Sequence, residues 1–135
     1  MTIVTDTGFK TDDWTGGFCP LSSLPANNCA GIDLASSDDP ETLRDRLGEI
    51  DMVRVDFPSF SDGRGFSIAV ELRRMGYMGR LRAKGHVIAD QYAMARRVGF
   101  DEVEIDDTLA ARQPEYQWRA RADWRAHDYQ SRLRG

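Results

Sequence analysis

Two cysteines and two histidines are all the soft metal ligands this 135-residue chain has. Cys19 and Cys29 stand ten positions apart with no histidine near either, which is no zinc pattern. An iron–sulfur cluster generally needs four cysteines. Gly63-Arg64-Gly65 does not continue into the spacing of a dinucleotide fingerprint, and no Gly-Lys-Ser/Thr of a phosphate loop occurs. The sequence therefore predicts neither a bound metal nor a resident cofactor. Long apolar runs are missing too: nothing approaches the roughly 20 residues that span a bilayer. The first residues, Met1-Thr2-Ile3-Val4-Thr5-Asp6, lack the basic start and apolar centre of a signal peptide. A cytoplasmic chain with two free thiols is the expectation. Nor is there a basic excess: 18 Lys and Arg stand against 22 Asp and Glu, a net charge of −4. That argues against nucleic-acid binding. The arginines of Arg119-Ala120-Arg121-Ala122-Asp123-Trp124-Arg125 are interleaved with acids and read as a solvated helix face.

What is present fits a single domain over residues 1–135 with three parts. Residues 1–28 are turn-rich, broken by Gly16-Gly17, Pro20, Pro25 and Asn27-Asn28, with Ile3, Val4 and Phe9 suited to a short strand or hairpin. Residues 29–107 form a regular βα core. Ile32 and Leu34 suggest a strand, and Ser37, Asp38 or Asp39 before Pro40-Glu41 marks a capped helix start. Val53, Val55 and Phe57 alternate with Arg54 and Asp56 in a second strand that Pro58 ends. A helix from about 63 to 75 follows, capped by Ser61 or Asp62 and closed by Gly76. Residues 79–85 read as a third strand. Ile88, Tyr92, Ala95 and Val98 share a helical face that stops at Gly99, and Val103 and Ile105 mark a fourth strand. Residues 108–135 predict a terminal helix docked through Trp118, Trp124 and Tyr129.

This βαβαβαβ series predicts an α/β fold built on a four-stranded parallel sheet. Its strands are unusual, because each has one apolar and one charged face: Arg54 and Asp56, then Arg80, Arg82 and Lys84, then Glu102, Glu104 and Asp106. Parallel strands covered on both sides normally read as apolar throughout. A half-barrel-like sheet, with helices on the apolar face only, satisfies the pattern. A doubly wound sheet competes, and would have to bury these charges at a cost of several kcal/mol for each unpaired one.

Ligands bind outside the carboxyl ends of such strands. After the second strand come Asp62, Gly63, Arg64 and Ser67. With Arg82 and Lys84 opposite, these make a candidate small-anion site in which the glycines admit a ligand to the backbone and Arg64 offers forked donors. A helix cap, an ion pair and a turn account for the same residues equally well. After the third strand, His86, Asp90 and Gln91 are candidates for acid–base or orienting roles. A lone histidine at a strand end is more often a hydrogen-bonded bystander.

Asp56-Phe57-Pro58-Ser59-Phe60-Ser61-Asp62-Gly63-Arg64-Gly65-Phe66-Ser67 resembles the core motif of an uncharacterised bacterial family, a domain of unknown function. The likeness continues through Leu72-Arg73, Gly76-Tyr77, Leu81-Arg82-Ala83-Lys84-Gly85, Asp90-Gln91 and Arg97-Val98-Gly99-Phe100-Asp101. It extends to Asp13-Trp14 and Tyr129-Gln130, so it covers nearly the whole chain. Members carry the label of an oxidoreductase of sulfite reduction, which rests on gene neighbourhood with assimilatory sulfite reductase and implies a pathway more than a reaction. His86 stands where the family pattern leads one to expect an acid. The resemblance implies an accessory protein of sulfite assimilation, with sulfite reductase or a second copy of the chain as partner. The alternative is an oxidoreductase acting on a sulfur oxyanion with a separately supplied cofactor.

Overall fold

Alternation of β-branched and charged residues builds the centre of the molecule. The computed structural model describes residues 1–23 and 30–124. Its strands are β1 (Thr2–Thr5), β2 (Gly8–Lys10), β3 (Cys19–Pro20), β4 (Gly31–Leu34), β5 (Met52–Phe57), β6 (Arg80–Gly85) and β7 (Glu102–Ile105). They form one seven-stranded sheet in the order β2-β1-β7-β6-β5-β4-β3. The four core strands β4 to β7 lie side by side in chain order and pair in parallel, with Val53 opposite Leu81 and Val55 opposite Ala83. The expected four-stranded parallel sheet is thus part of a larger mixed one. The Ile3–Phe9 region is an antiparallel hairpin that adds β1 to β7, and β3 extends the other edge alongside β4.

The α-helices are α1 (Arg64–Arg74), α2 (Tyr92–Val98), α3 (Asp107–Arg112) and α4 (Glu115–Arg119). Ile32, Val53, Val55, Leu81, Ala83 and Val103 share one core with Ile68, Ala69 and Leu72 of α1, Tyr92 and Ala95 of α2, and Trp118 of α4. Right-handed crossovers between successive neighbouring strands put the connections from β4 to β7 on this face. Three sequence expectations need correction. The segment after β4 is a 3₁₀ helix, Pro40–Glu49, whose start is capped by the Asp39 carboxylate accepting from Glu41 N at 3.0 Å. Among the described residues beyond β7 there are two short helices where one was expected, because Pro114 separates α3 from α4. Trp118 is fully buried and its indole donates to Gln113 O at 2.9 Å, while Trp124 donates to Asp6 at 3.4 Å; Tyr129 falls outside the described residues. Cys19 is disulfide-bonded, against the expectation of a free thiol there, and Cys29 lies outside the described residues. Among the described residues no helix is long and apolar enough to cross a membrane.

The charged face of the sheet is covered as well, by a strap of irregular chain over residues 11–18. Arg82 is completely buried there, and all three of its nitrogens are engaged. Nε donates to Glu102 at 2.6 Å, Nη1 to Glu104 at 2.8 Å, and Nη1 and Nη2 to Asp12 of the strap at 3.1 and 2.9 Å. Arg54 forks onto Asp33 at 2.6 and 2.8 Å and reaches Glu104 at 3.1 Å, with the Phe18 ring 3.7 Å from its guanidinium. Arg80 links Asp13 and Glu102 at 2.9 and 2.7 Å. Among the described residues no buried side-chain nitrogen or oxygen lacks a partner. The charges at the middle of this face, Arg82, Glu102 and Glu104, are therefore buried, as the doubly wound alternative required, but under a strap and paired.

Candidate functional site

The loop after β5 is where the sequence places an anion, and the chain fills that place itself. Asp62 accepts from Arg64 N at 3.1 Å, Nε at 3.0 Å and Nη2 at 2.7 Å, and Nη2 also donates to Ser36 Oγ at 2.9 Å. Asp62 thus occupies the carboxylate position at the start of α1 that a bound oxyanion would take. The Arg64 guanidinium holds the Asp62 carboxyl well below the usual carboxylate range. Gly65 is small for packing: a Cβ there would run into the Phe57 ring. Gly63 faces open space, with Phe66 the nearest atom a Cβ would meet. Ser67 is exposed on α1 and borders a shallow depression with Glu41 and Glu71, away from β6.

Arg82 is not at a ligand surface either. Burial disfavours its charged form, yet Asp12, Glu102 and Glu104 together raise its pKa above the ordinary arginine value. The structure brings Arg64 and Arg82 into separate networks with no common partner. Asp90 is exposed and pairs with Arg121 at 2.7 Å. Gln91 bridges two segments, its Oε1 accepting from Ile88 N at 3.1 Å and its Nε2 donating to Phe60 O at 3.0 Å. It thereby ties the loop after β5 to the loop after β6.

Lys84 and His86 are a different case. A cleft of about 400 Å³ opens at the carboxyl ends of β6 and β7, lined by Phe60, Lys84, His86, Ile105, Leu109 and Arg112 together with acidic residues. This is the ligand end of a parallel sheet. Gly85, at φ +110°, turns the chain between Lys84 and His86 in a conformation that side chains rarely adopt. His86 N then donates to Phe57 O at 2.9 Å, and Nδ1 lies 3.2 Å from the same carbonyl. With Nδ1–H donating there, Nε2 is the ring nitrogen left for a ligand. The Phe60 ring stands edge-on to the imidazole, with centroids 5.0 Å apart.

Pairing within this cleft is uneven. Its acids all have partners: Glu104 is held by Arg54 and Arg82, Asp106 caps α3 by accepting from Leu109 N at 2.7 Å, and Asp107 takes the Met1 amino group at 2.6 Å. Its cations Lys84 and Arg112 have none among the described residues. Lys84 sits in register between Asp56 and Glu104 on the same sheet face without pairing with either. Arg112 carries no sequence signal, since only the turn from β7 into α3 brings it to the cleft. Among the described residues no group of three or more His, Cys, Asp or Glu could hold a metal ion.

A family model described as a bacterial protein of unknown function (DUF934) matches residues 31–135. The chain belongs to that family. A comparison with curated proteins gives no match. The DUF934 span takes in β4 to α4 and every cleft residue named above except Met1, and it leaves the strap and the β1–β2 hairpin outside.

Proposed function

We propose that this DUF934 chain is an accessory protein of assimilatory sulfite reduction that holds a small oxyanion at the carboxyl ends of β6 and β7. The observation that carries the site is the uneven cleft: every lining acid is neutralised or capped, while Lys84 and Arg112 are not. A guanidinium gives paired donors and an ammonium gives a point charge, a combination suited to the several oxygens of sulfite or sulfate. His86 Nε2 adds a third polar group at the rim. In this reading the Asp62-Gly63 turn and the start of α1 are structural and Arg82 is a buried strut, so the anion site keeps Lys84 and His86 of the sequence candidates and gains Arg112. The pathway rests on the sequence resemblance, and sulfite reductase is the partner it implies.

Calorimetric titration of the full chain with sulfite and sulfate at low salt tests the site. Lys84→Ala and Arg112→Ala should each weaken binding at least about tenfold, since a charge-assisted bond is worth roughly 1.5–3 kcal/mol. Arg64→Ala should leave affinity unchanged. The reverse pattern would return the anion to the Arg64 loop, and no binding at all would remove the proposal. Solution mass with and without sulfite reductase tests the accessory role on the intact chain, because Trp118 belongs to the core and the carboxy-terminal segment cannot be removed cleanly.

A further inference from the structure

The cleft has room for much more than a bare oxyanion. One water occupies about 30 Å³ of liquid, and a sulfite ion displaces on the order of two. About 400 Å³ is available, within the range of pockets that enclose organic ligands. An inorganic anion beside Lys84 would leave most of that space to water against apolar walls. Those walls are specific. Phe60 is 40% exposed, one of the large hydrophobic side chains that the fold leaves at the surface, although Gln91 pins its backbone. Ile105 and Leu109 continue the apolar lining, and the edge-on His86 ring supports the Phe60 ring. An aromatic side chain kept partly in water beside two cations that have no partner among the described residues is the arrangement expected for a ligand with an acidic head and an apolar body.

We propose that the cleft binds an organic anion, a carboxylate or sulfonate borne on an aromatic or aliphatic body, with Lys84 and Arg112 on the acidic group and Phe60, Ile105 and Leu109 on the body. This deepens the oxyanion reading and rests on it: the oxyanion becomes the head of a larger molecule. Phe60 is then the residue that sets specificity. It contributes nothing to the head and discriminates by the body alone.

Calorimetry of the full chain with three probes tests this: sodium sulfate, benzenesulfonate and benzoate. In the unaltered protein benzenesulfonate or benzoate should bind at least tenfold more tightly than sulfate. Phe60→Ala should erase that preference while leaving sulfate affinity as it was, and circular dichroism of the variant should be unchanged, because the ring is only half-buried. Lys84→Ala should weaken all three probes. Equal affinity for sulfate and both aromatic anions, still dependent on Lys84, would overturn the organic-anion inference and leave the oxyanion reading standing. A preference that survives Phe60→Ala would overturn the specificity role. Absence of binding by every probe, or binding indifferent to Lys84, would remove the oxyanion reading and this inference with it.

Discussion

Arg82 and Lys84 lie two residues apart on β6 and point to the same face of the sheet, yet they live in opposite circumstances. Arg82 is sealed beneath the strap with every nitrogen bound, whereas Lys84, one register step nearer the carboxyl end, has no partner among the described residues. The middle of the charged face is therefore structure, and its end is where recognition can occur. A row of charges along a strand does not share one role. Each position takes its role from what covers it, and the strap covers the middle of the row. Three substitutions test the division.

The largest effect is expected at Arg82. Arg82→Met leaves Glu102 and Glu104 buried, with Arg80 and Arg54 as their remaining partners. Removing one member of a buried charge network typically costs about 3–5 kcal/mol. Urea denaturation should show a loss of that order, and adding Glu102→Gln should recover part of it because one stranded charge goes too. A loss below about 1 kcal/mol would mean the middle of the face is not structural, and the contrast with Lys84 would dissolve.

Asp12 should matter less and in a pH-dependent way. Its carboxylate accepts two bonds from Arg82, which hold its pKa below the ordinary aspartate value. A depressed carboxylate contributes stability that is present above the unfolded value near 3.9 and is lost as pH falls through the folded value. Asp12→Asn should therefore cost about 1–2 kcal/mol at pH 7. The gap between variant and parent should close progressively below about pH 4. Denaturation midpoints across pH 2–7 check this, and a gap that stays constant with pH would show that Asp12 holds the strap by shape and not by charge.

The strap also marks the limit of what could be read from the sequence. The four core strands and the 63–75 helix follow from local alternation and spacing, and the structure has them within a residue or two. The one-sided charge was equally legible. Its covering was not, because Asp12 meets Arg82 across 70 residues and nothing local announces that pairing. The same distance problem hid the site. Asp62, Gly63 and Arg64 have the composition of an anion loop, but the loop supplies its own carboxylate, and composition cannot distinguish a filled site from an open one. Arg112 was hidden for the converse reason: an exposed arginine in a short helix acquires meaning only once β7 sets α3 beside β6.

The smallest stability effect is expected at Lys84, and there the comparison is sharpest. Its in-register neighbours are Asp56, which is exposed to water, and Glu104, which Arg54 and Arg82 already neutralise. Removing the ammonium strands no buried charge, and the long side chain regains the freedom it would lose by being held. Lys84→Ala should shift unfolding free energy by no more than about 0.5 kcal/mol, the ordinary range for a surface position. Set beside a tenfold or greater loss of anion affinity in the same variant, that near-silence would separate recognition from stability within one strand. A stability cost above about 1 kcal/mol would instead make Lys84 a working member of the charge network. The strand would then carry a single continuous structural ladder, and an anion in the cleft would have to be held by Arg112 and His86 alone.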